Sequence, residues 1–166
     1  NLGECTNKGN ISGRNYVAGI LSNSRKSLAD CKNEGKIEGE QYVSGIAASF
    51  ESRYNNNNTV LTRCENNGEI TGDAYVAGIV AIVSGKYNCN ILENVNTADI
   101  AGGDKAAAFV AHNENANVTG NTNSGDITGY TNIGHFVGQQ NPAYSPDTVT
   151  GNVSTGNLNI LENNDF

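Results

Sequence analysis

A chain of 166 residues with a formal net charge of −7 and a pI near 4.7 suits one domain, and its 10 Lys and Arg form no basic stripe, which excludes a nucleic-acid partner. Hydrophobic residues make up 37%, too few for one thick globular core but enough for a thin core threaded along a stack. No run of ~20 apolar residues exists, so neither a transmembrane helix nor direct membrane insertion is expected.

The chain begins at Asn1, without Met or a recognisable signal peptide, and almost at once enters a repeat. We read it as one repeat domain, 1–166, excised from a longer protein whose neighbouring domains are its expected partners. The first copy is Cys5-Thr-Asn7-Lys-Gly9-Asn-Ile11-Ser-Gly13-Arg-Asn-Tyr16-Val17-Ala-Gly19-Ile20. The second runs from Cys31 through Asn33, Gly35, Ile37, Gly39, Tyr42 and Val43 to Ile46, and the third from Cys64 through Asn66, Gly68, Ile70, Gly72, Tyr75 and Val76 to Ile79. All three read C-x-N-x-G-x-I-x-G-x-x-Y-V-x-G-I, without gaps. Weaker copies start at Asn94, Asn121 and Asn152, the last cut short, and the starts are spaced by 26, 33, 30, 27 and 31 residues. An apolar residue stands three places before each start: Leu2, Leu28, Leu61, Ile91, Val118 and Val149.

Self-similarity at this period marks a solenoid, propeller or array. Each repeat divides into three extended segments: one from the apolar residue past the Cys or Asn, a brief x-I-x, and Y-V-x-G-I-V. The alternation and β-branched residues favour strands. The expected fold is all-β: a parallel β-solenoid with three short strands per rung, about five full rungs plus a partial one. At a strand spacing of ~4.8 Å the rod is roughly 25–30 Å long. A propeller blade needs about 40 residues, and Gly inside every repeat excludes an α-solenoid. Length differences fall in one corner: Ser24–Ser27, Phe50–Val60, Val83–Asn90, Asn113–Asn117 and Gln140–Thr148. Such insertions map to loops on one face of a solenoid.

The pattern apolar-x-x-C-x-N-x-G-x-I-x-G followed by V-x-G-I-V resembles the GLUG repeat, most clearly from Leu61 to Ala81. The resemblance covers essentially the whole chain. Here Ala replaces the first Gly of the usual G-G pair at Ala18, Ala77 and Ala107, and the fourth and fifth copies depart further at Lys105, Ala108, Phe109 and Gly134-His135-Phe136. It implies an extracellular or cell-surface anchored bacterial module, of the kind found in arrays in adhesins and beside the catalytic domains of immunoglobulin-A-cleaving metallopeptidases. The repeats are not the catalytic part there, and no H-E-x-x-H occurs here.

Cys5, Cys31 and Cys64 share one repeat position, continued by Asn94, Asn121 and Asn152. Parallel side chains on successive rungs do not converge as a zinc site requires, so a buried thiol ladder is expected, with a disulfide as the alternative. Cys89 is read as the odd one out, in the variable corner. Asn7, Asn33, Asn66, Asn96 and Asn123 form a second column, read as turn residues whose amides bond along the rod.

Tyr16, Tyr42 and Tyr75 stack in the first three rungs, and Lys105 and Asn132 take their place in the next two. They offer packing, or a platform for a sugar or partner protein. The acidic residues form no column: Asp99 and Asp126 align with Asn10, Lys36 and Glu69. His112 and His135 stand apart, and no paired carboxylates or Ser-His-Asp set is present, so no reaction and no cofactor is expected.

The leading expectation is a non-catalytic surface module for adhesion, ligand presentation or spacing; the alternative is a carbohydrate-binding or carbohydrate-active β-helix. Ice binding needs a regular Thr array, and the position after the Ile reads Ser12, Glu38, Thr71, Ala101, Thr128 and Asn159. A host protein or glycan is the expected ligand class. The loop corner, with Tyr54 and Tyr144 as anchors, is preferred over the Tyr16, Tyr42 and Tyr75 wall, because loops vary while strands stay fixed.

Overall fold

The computed structural model describes residues 2–53, 59–141 and 148–162. Every strand pairing in it is parallel, no helix occurs among the described residues, and the chain coils into a β-solenoid of five turns and part of a sixth. Successive turns lie in the register the motif dictates. Ile11 pairs with Ile37, Ile37 with Ile70, Ile70 with Ile100, Ile100 with Ile127, and Ile127 with Leu158. Leu2, Leu28, Leu61, Ile91, Val118 and Val149 align in the same way. The turn lengths differ, yet no column slips, because the extra residues stay out of the strands.

Each of the five full turns contributes to four hydrogen-bonded columns. In the third turn these are Thr59–Thr62, Glu65–Asn66, Ile70–Ala77 and Val80–Gly85. The three extended segments expected from the sequence redistribute at two points. The first segment bends between the apolar residue and the Asn. There Glu4, Asp30, Arg63 and Glu93 take φ between 50° and 57°, and Gly120 and Gly151 follow at 68° and 64°. The Y-V-x-G-I-V segment breaks at its glycine. A Cβ on Gly45 would lie 2.3 Å from the Gly78 oxygen and 2.4 Å from Asn66 Oδ1, so the chain turns here against the Asn column with no room for a side chain.

The core runs along the axis. Ile37, Ile70, Ile100 and Ile127 are fully buried, as are Leu28, Leu61, Ile91, Val118, Ile46 and Ile79. The end members depart from this: Ile11 is partly buried and Leu158 is exposed, because each lacks a turn on one side.

The variable corner is smaller than the sequence suggests. The strand Ala47–Ser52 carries Phe50 into the core, fully buried, and Val60 belongs to Thr59–Thr62. Cys89 is not a corner residue: it opens the strand Cys89–Leu92 and is buried. Its neighbours Thr59 and Ala116 in the same column place it on the inward side.

Candidate functional site

The tyrosine column begins with an unusual backbone. Tyr16, Tyr42 and Tyr75 have φ of 54°, 55° and 57°, and Lys105 and Asn132 continue at 55° and 51°. A left-handed conformation costs a residue with a Cβ roughly 1–2 kcal/mol. Stacking of the rings offsets it, at about 0.5–1.5 kcal/mol per pair. Tyr16 and Tyr42 lie 4.6 Å apart between centroids and 9° from parallel; Tyr42 and Tyr75 lie 4.6 Å apart at 20°. Ring faces are thereby spent on one another, and burial with the neighbouring phenols Tyr75 and Tyr16 raises the Tyr42 pKa.

The column is closed on its C-terminal side. Lys105 Nζ sits 4.6 Å from the Tyr75 centroid, and His112 meets Tyr75 edge-on at 5.9 Å. Lys105 is paired with Asp104, whose Oδ1 also accepts from Thr131 Oγ1 and Asn132 Nδ2, both at 2.7 Å. Burial opposes the Asp104 charge, but the hydrogen bonds from Lys105, Asn132 and Thr131 outweigh it and hold the carboxyl at about 2. On the N-terminal side Tyr16 is 47% exposed. The wall thus offers a row of ring edges and one open ring, rather than a series of flat faces.

The two polar columns inside the coil are structural. Asn7, Asn33, Asn66 and Asn96 each donate Nδ2 to the Oδ1 of the next Asn at 2.8 Å, ending at Asn123. Asn123 passes the bond to Ser154 Oγ at 3.1 Å, which in turn meets His135 Nδ1 at 3.0 Å. Each Asn also closes its own turn on the carbonyl two residues on, as Asn66 does to Gly68 at 3.0 Å. No disulfide joins the cysteines, and the Sγ of Cys5, Cys31 and Cys64 each donates to the carbonyl two residues before it. Burial pushes the Cys64 thiol up to about 12, the setting of an inert core thiol. Where the column changes to Asn, Asn94 and Asn121 place Oδ1 on the backbone N–H of Cys64 and Asn94 at 2.9 and 2.8 Å.

Charged residues pair across turns. Lys8 meets Glu34, Arg14 meets Glu40, Arg25 meets Glu51, Lys32 meets Glu65 and Lys36 meets Glu69. A groove of about 390 Å³ lies along the first corner between Glu4, Asp30, Lys32, Arg63 and Glu65. Four of its five charges are paired: Lys32 meets Glu65, and Arg63 bonds both carboxylate oxygens of Asp30 at 2.8 Å, which lowers the Asp30 pKa. Neither these ladders nor the Asp104 cluster was picked out from the sequence. The alternation of Lys or Arg with Glu at one motif position in successive copies is the signal that carries them.

At the variable corner, Glu51 is held between Arg25 and Arg53 at 2.7 and 2.8 Å, and Asn117 bridges Asn90 and Thr148 at 3.1 and 3.0 Å. The feet of the loops are therefore fixed. The proposed anchors Tyr54 and Tyr144 lie outside the described residues. The structure brings Tyr16, Tyr42 and Tyr75 into one column, as their spacing predicts.

No protein-family model, no curated protein and no solved structure matches this chain.

Proposed function

We propose that the chain is a non-catalytic surface module: a stiff coil that presents loops from one corner and spaces neighbouring domains, in the manner of the GLUG repeats its motif resembles, on the outside of a bacterial cell. The observation that supports this most is the division of labour along the chain. The amides of the asparagine column are spent on the next turn, as the Asn33–Asn66–Asn96 bonds illustrate, while repeat length varies at a single corner. A scaffold with fixed strands and variable loops carries recognition on the loops. The ligand class is a host protein or glycan.

A second reading is favoured by Tyr16. Its half-exposed ring suits the apolar face of a sugar, which supports a carbohydrate site at the tyrosine column.

Surface display of the chain on a non-adherent bacterium, followed by incubation with immobilised glycans and extracellular host proteins, tests both. Replacing residues 53–58 with a short Gly-Ser turn spares Phe50 and the strands and is expected to abolish attachment. Attachment that survives this change but fails in the triple variant Tyr16→Ser, Tyr42→Ser, Tyr75→Ser moves the site to the column. Release of sugars from an acidic polysaccharide by the purified chain contradicts the non-catalytic reading.

A further inference from the structure

The cations of the coil are matched by acids everywhere except at one corner. Lys8, Arg14, Lys32, Lys36, Arg63 and Lys105 each meet a carboxylate beside them or on a neighbouring turn. The other four of the ten, Arg25, Lys26, Arg53 and Lys86, all stand at the variable corner. Each follows the end of a strand in the fourth column: Leu21–Ser24, Ala47–Ser52 or Val80–Gly85. Those strands pair in register, Ser24 with Phe50 and Ser52 with Gly85, so the coil gathers four cations that chain order scatters.

Glu51 is the one acid in this corner over the first three turns. Arg53 Nε and Arg25 Nε donate to its two oxygens at 2.8 and 2.7 Å, which lowers its pKa. One carboxylate thus answers two guanidinium groups. Both bonds are made by Nε, so neither Arg uses its paired Nη groups on Glu51. The Glu51 side chain is only 18% accessible, against 49% and 52% for Arg25 and Arg53. Lys26 and Lys86 are exposed and pair with no carboxylate among the described residues; Lys86 Nζ lies 5.5 Å from the centroid of the Tyr87 ring. Four cations against one anion make the corner +3, in a chain of −7, so the rest of the chain carries −10. The patch ends at the fourth turn, where Glu114 follows Asn113, the partner of Val83, and faces His112 at 3.7 Å.

We propose that this corner binds an extended anionic polysaccharide, whose sulfate or carboxylate groups are held by Lys26, Lys86 and the Arg25–Arg53 pair. The proposal rests on the reading of the loop corner as the ligand-presenting face and names the class of ligand. Arg presents a planar fork that fits a sulfate or carboxylate, and Lys adds a point charge. Turns stack ~4.8 Å apart, so over three turns the cations form a line of roughly 10 Å rather than a plane. The Tyr87 ring beside Lys86 offers a surface for the apolar face of a sugar. The acidic remainder of the chain adds selectivity. A narrow polysaccharide runs along the corner clear of the acidic faces, whereas a nucleic-acid duplex or an anionic bilayer spreads over them and is repelled.

Titration of a fluorescently labelled heparin oligosaccharide with the purified chain, followed by anisotropy at about 0.15 M ionic strength, tests it. Binding is expected, weakening as salt rises, with competition from unlabelled heparin or hyaluronan and none from neutral dextran. Lys26→Gln with Lys86→Gln breaks no ion pair and is expected to weaken binding about 25-fold, at roughly fivefold for each cation near an anionic surface. Lys8→Gln with Lys36→Gln removes the same charge from another face and is expected to change it less than about twofold. Glu51→Gln releases both Arg side chains and is expected to tighten binding about fivefold, a gain that loss of fold cannot mimic. A wild-type chain that does not bind heparin overturns the proposal, as do equal losses in the two double variants. Tighter binding to single-stranded oligothymidine or to phosphatidylserine vesicles than to heparin overturns it too. In the display assay, attachment lost on replacement of residues 53–58 but kept in Lys26→Gln, Lys86→Gln overturns the anionic class and leaves the loop corner standing. Heparin binding with the expected variant pattern, in a chain that mediates no attachment, supports the site and contradicts the adhesive reading instead.

Discussion

Asn66 Nδ2 reaches Asn96 Oδ1 at 2.8 Å across the gap between the third and fourth turns, and both residues are completely buried. Asn66 Oδ1 at the same time accepts from Asn33 at 2.8 Å. Asn66→Ala therefore strands a donor on Asn33 and an acceptor on Asn96, each away from water. At about 1–3 kcal/mol for each of the two unsatisfied groups the loss is roughly 2–6 kcal/mol. Asn7→Ala is expected to cost less, because Asn7 heads the column and is only half-buried. Urea melts of the two variants compare the losses directly.

The isoleucine column gives a parallel expectation in apolar terms. Ile70 is fully buried between Ile37 and Ile100, so Ile70→Ala is expected to cost about 2–5 kcal/mol through the cavity it leaves. Leu158 is 36% exposed, with Ile127 on one side only, and Leu158→Ala is expected to cost well under half as much. Equal losses in denaturant titrations contradict a stacked core.

The first corner predicts a gain. Glu93 holds φ at 55°, while the next two turns place Gly120 and Gly151 at the same corner. Glu93→Gly removes the left-handed penalty at some cost in chain entropy and is expected to stabilise the fold by about 0.5–1 kcal/mol. Thermal melting reads the shift, and a lowered midpoint contradicts it.

The Asp104 cluster predicts a pH dependence. Its carboxyl titrates at about 2 in the folded chain against an ordinary value of 3.8. A depressed carboxylate contributes stability that is fully present above 3.8 and is lost as pH falls toward 2. Asp104→Asn is expected to lower stability at neutral pH, with the gap from wild type closing over that interval. A gap that stays constant down to pH 2 removes the Asp104 charge from the account.

The columns were legible because each rests on one residue type at one spacing. Leu28–Leu61–Ile91, Ile37–Ile70–Ile100, Asn33–Asn66–Asn96 and the three tyrosines are all in the register that the motif sets. Corner geometry was not legible. Glu4, Asp30, Arg63 and Glu93 share a left-handed backbone but no chemistry, so nothing in their identity announces a bend. The loop limits are not legible for a related reason. Phe50 and Cys89 lie between a motif and an insertion, where repeats of unequal length share no register in the sequence, and strand pairing and burial assign them to the core. Lys105 read as a break in the tyrosine column, whereas its ammonium continues the stack over Tyr75.

The in-register coil is tested most directly by the side-chain amides of its asparagine column. Nuclear magnetic resonance of the labelled chain is expected to show scalar coupling through the hydrogen bonds from Asn33 to Asn66, Asn66 to Asn96 and Asn96 to Asn123, with slow exchange of all three donor amides against solvent. Rapid exchange of Asn66 Nδ2, or contacts that link Asn33 to Asn96 and skip Asn66, would contradict the turn-by-turn register on which the whole account rests.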